Sequence, residues 1–410
     1  MSGEWLVTGV FVAVYLGMAL GRWPLLAIDR TGVAMIGAIL LFAAGAVDGP
    51  AVLAAIDFPT LAILFALMVL SAQFAASGFF DWSGTCIARA SAGPQLLLLA
   101  VILLSGGLSA VRTNDVVVWA LTPVLITGLG ARGLDPRPYV IALAAAANAG
   151  SAATIIGNPQ NLLIGQSGGL DFWAFLAVCG VPALAALGLV HLTVAWCWRH
   201  RFQVAAQPGA AAPAALERAT LIKAVLAAVA VISIFTLPVP RATGALVVAG
   251  LLLLSRRLST RRMLSMVDWH LLLLFAGLFV VTAAFSALPK LAELTSGMRG
   301  LPLDLGHPAA LAIVSLAGSN SIGNVPLVTL LLALDLGLGP AELYTLALFS
   351  TLSGNLLIVG SIANIIAVVR AREMGVEIGF VEHARVGVPL TLASLAVGYA
   401  WLALLRPLFA

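Results

Sequence analysis

Apolar stretches about 20 residues long recur along the whole chain, the length that crosses a roughly 30 Å hydrocarbon layer. They predict spanning helices at 4–21, 32–48, 58–80, 137–165 and 172–197, and a second series at 219–236, 241–257, 266–288, 341–370 and 383–405. Two further apolar stretches, 95–130 and 308–336, are interrupted at their centres. Thr113-Asn114-Asp115 breaks the first, and Ser319-Asn320-Ser321-Ile322-Gly323-Asn324-Val325-Pro326 the second. A polar, helix-breaking centre between two apolar arms predicts a re-entrant hairpin whose tip lies at membrane depth.

The two series resemble each other. Asp57 and Asp268 each open a span and lie 211 positions apart; Arg30 and Arg241 precede matching apolar runs at the same offset; Asn114 and Asn324 at the hairpin tips are 210 apart. Ile155-Ile156-Gly157-Asn158-Pro159-Gln160-Asn161 faces Ile358-Val359-Gly360-Ser361-Ile362-Ala363-Asn364, with Gly and final Asn both offset by 203. The chain reads as a duplication: a first repeat at 1–198, a linker at 199–217 without an apolar span, and a second repeat at 218–410. Five crossings per repeat is an odd number, so the second copy is expected upside down relative to the first. The predicted fold is an all-α membrane protein with about ten transmembrane helices and two re-entrant helical hairpins, in two inverted repeats.

Charge fixes an orientation. With the linker in the cytoplasm, most Lys and Arg, including Arg22, Arg30, Arg137, Arg201, Arg256, Arg257, Arg370, Arg372 and Arg385, fall on the same side, while Arg241, Lys290, Arg299 and Arg406 fall opposite. Both termini are expected outside, in a bacterial-type inner membrane. The first apolar stretch has no basic residue before it and runs on to full spanning length, so it is expected to stay in the mature protein rather than act as a signal peptide.

Composition narrows the classes. Hydrophobic residues make up 61% and charged residues 9% of the chain, with a mean hydropathy of +1.09, which excludes an ordinary soluble domain. The 21 Lys and Arg are spread thinly and form no nucleic-acid face. Cys86, Cys179 and Cys197 sit at no metal or disulfide spacing. The chain has no His-Glu-x-x-His helix, no pair of intramembrane carboxylates and no phosphate loop, so neither a membrane enzyme nor a nucleotide-driven pump is expected. No cofactor is expected beyond Na⁺ or H⁺ as a coupling ion.

Matched interruptions in both halves point to one central site, because irregular backbone survives at membrane depth only inside protein or beside a watery cavity. Its expected solute-binding residues are Thr113, Asn114, Asn158, Asn161, Asn320, Asn324, Ser361 and Asn364; its expected coupling-ion residues are Asp115, Ser151, Thr154, Gly157, Asn355 and Gly360. Helix N-termini at the breaks suit an anion, and unwound carbonyls suit a cation. Asp115, an acid between two apolar arms, either binds the coupling cation or proton or pairs with Arg112.

These segments resemble the ion transporter superfamily, which includes citrate and dicarboxylate transporters, arsenite permeases and NhaD-type Na⁺/H⁺ antiporters. Ile28-Asp29-Arg30-Thr31-Gly32, the 113–115 tip with Thr122-Pro123, 156–161, and 323–326 with 360–364 carry the resemblance. It implies a scaffold domain, a transport domain bearing two opposed hairpins, elevator-like movement and, often, a homodimer. The expected function is secondary active transport of a small anion, an organic carboxylate or inorganic oxyanion, coupled to H⁺ or Na⁺; a Na⁺/H⁺ antiporter and an arsenite or antimonite efflux permease are the alternatives.

Overall fold

Nineteen α-helices account for the structure in a computed structural model that describes residues 2–21, 23, 26–90, 92–203, 215–255, 258–289, 291 and 305–405. In the first half, α1 is Ser2–Leu20, α2 Arg30–Ala43, α3 Gly49–Ala55, α4 Phe58–Ala76, α5 Phe79–Arg89, α6 Pro94–Val111, α7 Asn114–Gly130, α8 Arg137–Ser151, α9 Pro159–Ser167 and α10 Phe172–Cys197. In the second, α11 is Arg218–Thr236, α12 Arg241–Leu253, α13 Thr260–Leu264, α14 Trp269–Ser286, α15 Pro308–Ser321, α16 Asn324–Ala333, α17 Pro340–Ser353, α18 Ile362–Glu373 and α19 Phe380–Leu405.

The helices start where the sequence supplies caps. Side chains of Asp29, Asp48, Asp57, Asp171 and Asp268 each accept a hydrogen bond from a backbone N–H in the first turn of α2, α3, α4, α10 and α14. Each satisfies one of the donors that a helix start leaves free. Proline in the first turn of α6, α9 and α17 uses its missing N–H where none is needed.

Seven described helices are long and apolar enough to cross a membrane: α4, α6, α10, α11, α14, α19 and the segment Gly3–Leu20 of α1. Six of the ten expected spans are therefore single long helices. The expected spans 32–48 and 241–257 are the shorter α2 and α12, while 137–165 and 341–370 are each split, into α8 with α9 and α17 with α18. Three helices fall outside the expected spans. The amphipathic α5 carries too many polar residues for a span, and α3 and α13 are too short. Arg22, Arg256, Arg257, Lys290, Arg299, Arg406 and most of the 199–217 linker lie outside the described residues.

Neighbour relations repeat between the halves. The α1–α2 pair recurs as α11–α12; α2 packs on α14 as α12 packs on α4; α6 packs on α8 as α15 packs on α17; α7 packs on α18 as α16 packs on α9. One group thus combines α1–α4 with α11–α14, and the other combines the hairpins, the split helices and the long α10 and α19.

α10 and α19 set the relative direction of the halves. Both have 26 residues and an internal proline, Pro182 and Pro389. Trp401 Nε1 donates to Val178 O at 2.9 Å, and Cys197 Sγ donates to Arg385 O at 3.5 Å. The start of each helix therefore lies beside the end of the other, so equivalent helices run antiparallel and the repeats are inverted.

Polarity is arranged for lipid rather than water. Leu184 is 69% exposed and Leu404 73%, whereas Asn161 is fully buried. Buried amides and hydroxyls gather at the centre, where the split helices meet the hairpins.

Candidate functional site

The split helices are opened by a close backbone approach that only glycine permits. A Cβ on Gly157 would stand 2.3 Å from Ser151 O and 2.9 Å from Ser109 O; one on Gly360 would stand 2.3 Å from Asn320 Oδ1 and 3.0 Å from Gly354 O. Each break leaves carbonyls without helical partners, which deep in protein would be costly. A single asparagine resolves this in each half. Asn161 Nδ2 donates to Ser151 O (3.2 Å) and Thr154 O (3.1 Å); Asn364 Nδ2 donates to Gly354 O (2.8 Å) and Leu357 O (3.1 Å). The accepting carbonyls lie ten and seven residues upstream in both cases.

The second half of each split helix begins at another polar residue. Asn158 Oδ1 caps α9 by accepting from Asn161 N at 2.8 Å, and Ser361 Oγ caps α18 by accepting from Ala363 N at 3.2 Å. Their donors reach across. Asn158 Nδ2 donates to Ser151 Oγ (3.0 Å) and Thr351 Oγ1 (3.2 Å), and Ser361 Oγ donates to Asn148 Oδ1 (3.0 Å).

Asn148 and Thr351 join the halves. Asn148 Nδ2 donates to Asn355 Oδ1 (2.8 Å) and Asn364 Oδ1 (3.2 Å), while Thr351 Oγ1 donates to Asn161 Oδ1 (3.1 Å). Gln160 Nε2 also donates to Thr351 Oγ1 at 3.3 Å. These three residues were not among the expected site residues, Asn148 and Thr351 because each lies inside a helix with no interruption to mark it. The 203 offset that relates Asn161 to Asn364 also relates Asn148 to Thr351 and was the signal available.

The first hairpin docks on this network. Asn114 Nδ2 donates to Asn148 Oδ1 at 2.9 Å, Asn114 N donates to Gly157 O at 3.1 Å, and Thr154 Oγ1 donates to Ala110 O. The N-termini of α7, α9 and α18 therefore converge on Asn148 and Thr351, and each brings a partial positive charge. Thr113 is buried at the tip, and its Oγ1 has no partner among the described residues.

The second hairpin is held differently. Asn320 Nδ2 donates to Ser353 O and its Oδ1 accepts from Leu357 N, so its first arm grips the break between α17 and α18. Asn324 is buried, but its Oδ1 accepts from Val325 N and its side chain does not join the central network. The tip instead reaches the α1–α2 region, where Tyr15 Oη donates to Pro326 O at 3.1 Å.

Asp115 is half-buried in the first turn of α7. Among the described residues no ion pair joins it to Arg112, so that pairing is not formed. Its electrostatic neighbour is a second carboxylate, Asp268, the cap of α14. A crevice of about 570 Å³ opens beside Asp268, between the ends of α1, α2 and α14 and the length of α18. It runs from Arg372 and His270 to Ile358 and Val359, at the break that ends in Ser361.

Residues 15–346 match the citrate transporter family, CitMHS. The chain belongs to this family. A full-length relative is the inner membrane protein YbiR of Escherichia coli strain K12, 32% identical over 86% of this chain and 89% of its own. The silicon efflux transporter LSI3 of Oryza sativa subsp. japonica is 27% identical over 92% of each chain. In fold, the chain is similar to the crystal structure of the Alcanivorax borkumensis YdaH transporter, with a TM-score of 0.54 at 17% identity over 98% of this chain and 96% of that one. This is an integral, multi-pass membrane transporter, and the Asn network lies where its two halves meet.

Proposed function

We propose that this chain is a secondary active carrier for a small anion, driven by H⁺ or Na⁺. The observation that carries the reading is the meeting of three helix N-termini around Asn148 and Thr351, in a network where no carboxylate takes part among the described residues. Converging N-termini favour negative charge. Asp115, unpaired with Arg112 and with the Asp268 carboxylate as its electrostatic neighbour, is the proposed site of the coupling cation or proton.

Movement follows from the two groups of helices. The hairpins and split helices form a unit tied together by side-chain hydrogen bonds, while α1–α4 and α11–α14 pack on each other, so a rigid shift of one group past the other is the proposed elevator step. The crevice beside Arg372 opens on the side that the charge pattern assigns to the cytoplasm, with the termini opposite, in an inner membrane.

Purified protein in liposomes tests this. Uptake of labelled citrate, succinate, sulfate or phosphate is expected only when a proton or sodium gradient is imposed. Flux that ignores both gradients overturns the carrier mechanism. The rice relative is a silicon efflux transporter, which favours a second reading, efflux of an uncharged hydroxide such as silicic acid, for which transport of silicic acid without any anion is the distinguishing result.

A further inference from the structure

Arg112 lies between the arms of the first hairpin, at the C-terminal cap of α6, and is 2% exposed. Its Nη2 donates to Ser71 O at 2.9 Å, and its guanidinium carbon stands 4.0 Å from the Phe74 ring centroid and 4.9 Å from that of Phe80. α4 supplies Phe74 and α5 supplies Phe80, so the cation is held against two aromatic faces with its plane fixed. Nε and Nη1 have no partner among the described residues.

A buried guanidinium without a carboxylate is an expensive arrangement, and charges taken out of water are ordinarily paired. None of the ion pairs among the described residues includes Arg112. Unpartnered hydroxyls also lie on residues near Arg112 in sequence or in contact with it. Ser71 Oγ, Ser109 Oγ and Thr113 Oγ1 are buried without partners on the segments that meet at this tip. Their hydroxyls rotate, so each can donate to an oxygen placed there. The Ser109 backbone lies beside Gly157, whose carbonyl accepts from Asn114 N, so this end of the hairpin borders the central network.

We propose that Arg112 is the charge-recognising residue of the transported anion, donating from Nε and Nη1 to a carboxylate or oxyanion that the Ser109 and Thr113 hydroxyls complete. The assignment rests on the anion-carrier reading above. The aromatic clamp and the Ser71 carbonyl position the cation; the substrate supplies the counter-charge that the protein withholds. Arginine suits this role because its planar donors match carboxylate and oxyanion geometry, whereas an ammonium does not.

Thermal shift of detergent-purified protein tests the assignment, with citrate, succinate, sulfate and phosphate as probes and uncharged arsenous acid as control. A bound anion stabilises the folded protein by an amount that grows with the logarithm of its concentration over its Kd. Wild type is expected to be stabilised by at least one anion, with affinity about tenfold to a hundredfold weaker in Arg112→Gln and intermediate in Arg112→Lys. An anion that stabilises wild type and R112Q equally overturns the role of Arg112 and leaves the carrier reading standing. Failure of every anion to stabilise wild type overturns the anion reading and this assignment with it. Should R112Q not elute as a single species, Phe74→Leu takes its place: it keeps the charge but removes one face of the clamp, and a several-fold loss of anion affinity is expected. Unchanged affinity in both F74L and R112K overturns the proposal.

Discussion

Asn148 and Thr351 stand 203 positions apart, and each hydrogen-bonds to the final asparagine of the other half's break, Asn148 to Asn364 and Thr351 to Asn161. This crossed pair ties the two repeats together at their breaks. Asn148→Ala removes the acceptor of Asn114 and Ser361 and the donor to Asn355 and Asn364, so it is expected to destabilise more than Thr351→Val. Each orphaned buried group costs about 1–3 kcal/mol. Because both residues belong to one network, the double substitution is expected to cost less than the sum of the singles. Melting of the two single variants and the double variant, followed by intrinsic fluorescence, checks this; strict additivity would mean the halves are not coupled here.

Asn161 and Asn364 hold up unwound backbone. Asn161→Ala strands Ser151 O and leaves Thr154 O only the long 3.4 Å bond from Gly157 N, and about 2 kcal/mol of stability is expected to disappear. Asn161→Asp fails in the same way, because a carboxylate offers these carbonyls no donor at neutral pH. Gln at this position carries the amide but places it one methylene further out, and it is expected to rescue partially. A melting temperature for N161D equal to wild type would show that the amide is not what satisfies the break.

Gly157 offers a steric test. A methyl group there meets the Ser151 carbonyl at 2.3 Å and the Ser109 carbonyl at 2.9 Å, both backbone atoms that cannot swing aside. Gly157→Ala is expected to displace the first hairpin and abolish transport. Gly188→Ala, where an added Cβ meets nothing within 4 Å, serves as the control and is expected to leave transport intact. Equal uptake by both variants in liposomes would remove the idea that the break needs its present shape.

Much of this arrangement is written in the sequence because duplication makes it visible twice. The tips at Asn114 and Asn324, and the breaks ending at Asn161 and Asn364, stand out as polar or helix-breaking residues within apolar runs at matching offsets. Asn148 and Thr351 did not stand out, since an amide or hydroxyl in a continuous helix leaves the hydrophobic pattern intact, and Gln160, within the first break, has no polar counterpart at the 203 offset, where Ala363 stands. The asymmetry between the hairpins was also hidden. Asn114 and Asn324 occupy equivalent positions, yet only Asn114 joins the network, and that difference depends on how the helix groups are docked rather than on local composition. The role of Arg112 could not be read either, because its partners are aromatic rings in α4 and α5, some 30 to 40 residues earlier.

Away from the site, Asp135 in the turn before α8 makes the chain's acid response testable. Partial burial alone would raise its carboxyl, but hydrogen bonds from the Arg137 side chain and backbone N–H, with the charges of Arg137 and Arg201, hold it below its ordinary value. Arg137 bridges on to Glu382 at 2.9 Å, linking the start of α8 to α19. A depressed carboxylate contributes stability above its unfolded value of about 3.9 that is lost as pH falls through the lower folded value. Asp135→Asn is therefore expected to lower the melting temperature at neutral pH and to flatten its decline below about pH 4. An acid limb as steep as that of wild type would exclude Asp135 as a contributor.

Asp115 and Asp268 provide the sharpest test of coupling. They sit on different helix groups, Asp115 on the hairpin α7 and Asp268 at the cap of α14, so their separation changes if one group slides past the other. Two carboxylates that feel each other's charge favour uptake of a cation or proton, because like charges cannot both remain bare at little cost. Asp115→Asn keeps the size and shape of the side chain and removes its charge. Gradient-driven uptake is expected to fall by at least tenfold, while exchange of labelled for unlabelled substrate in liposomes without a gradient persists. Asp268→Asn is expected to retain capping of α14, since asparagine also caps, and to shift the ion dependence rather than abolish transport. If D115N accumulates substrate against a gradient as well as wild type does, the carboxylate is not the coupling group and the driving ion binds elsewhere.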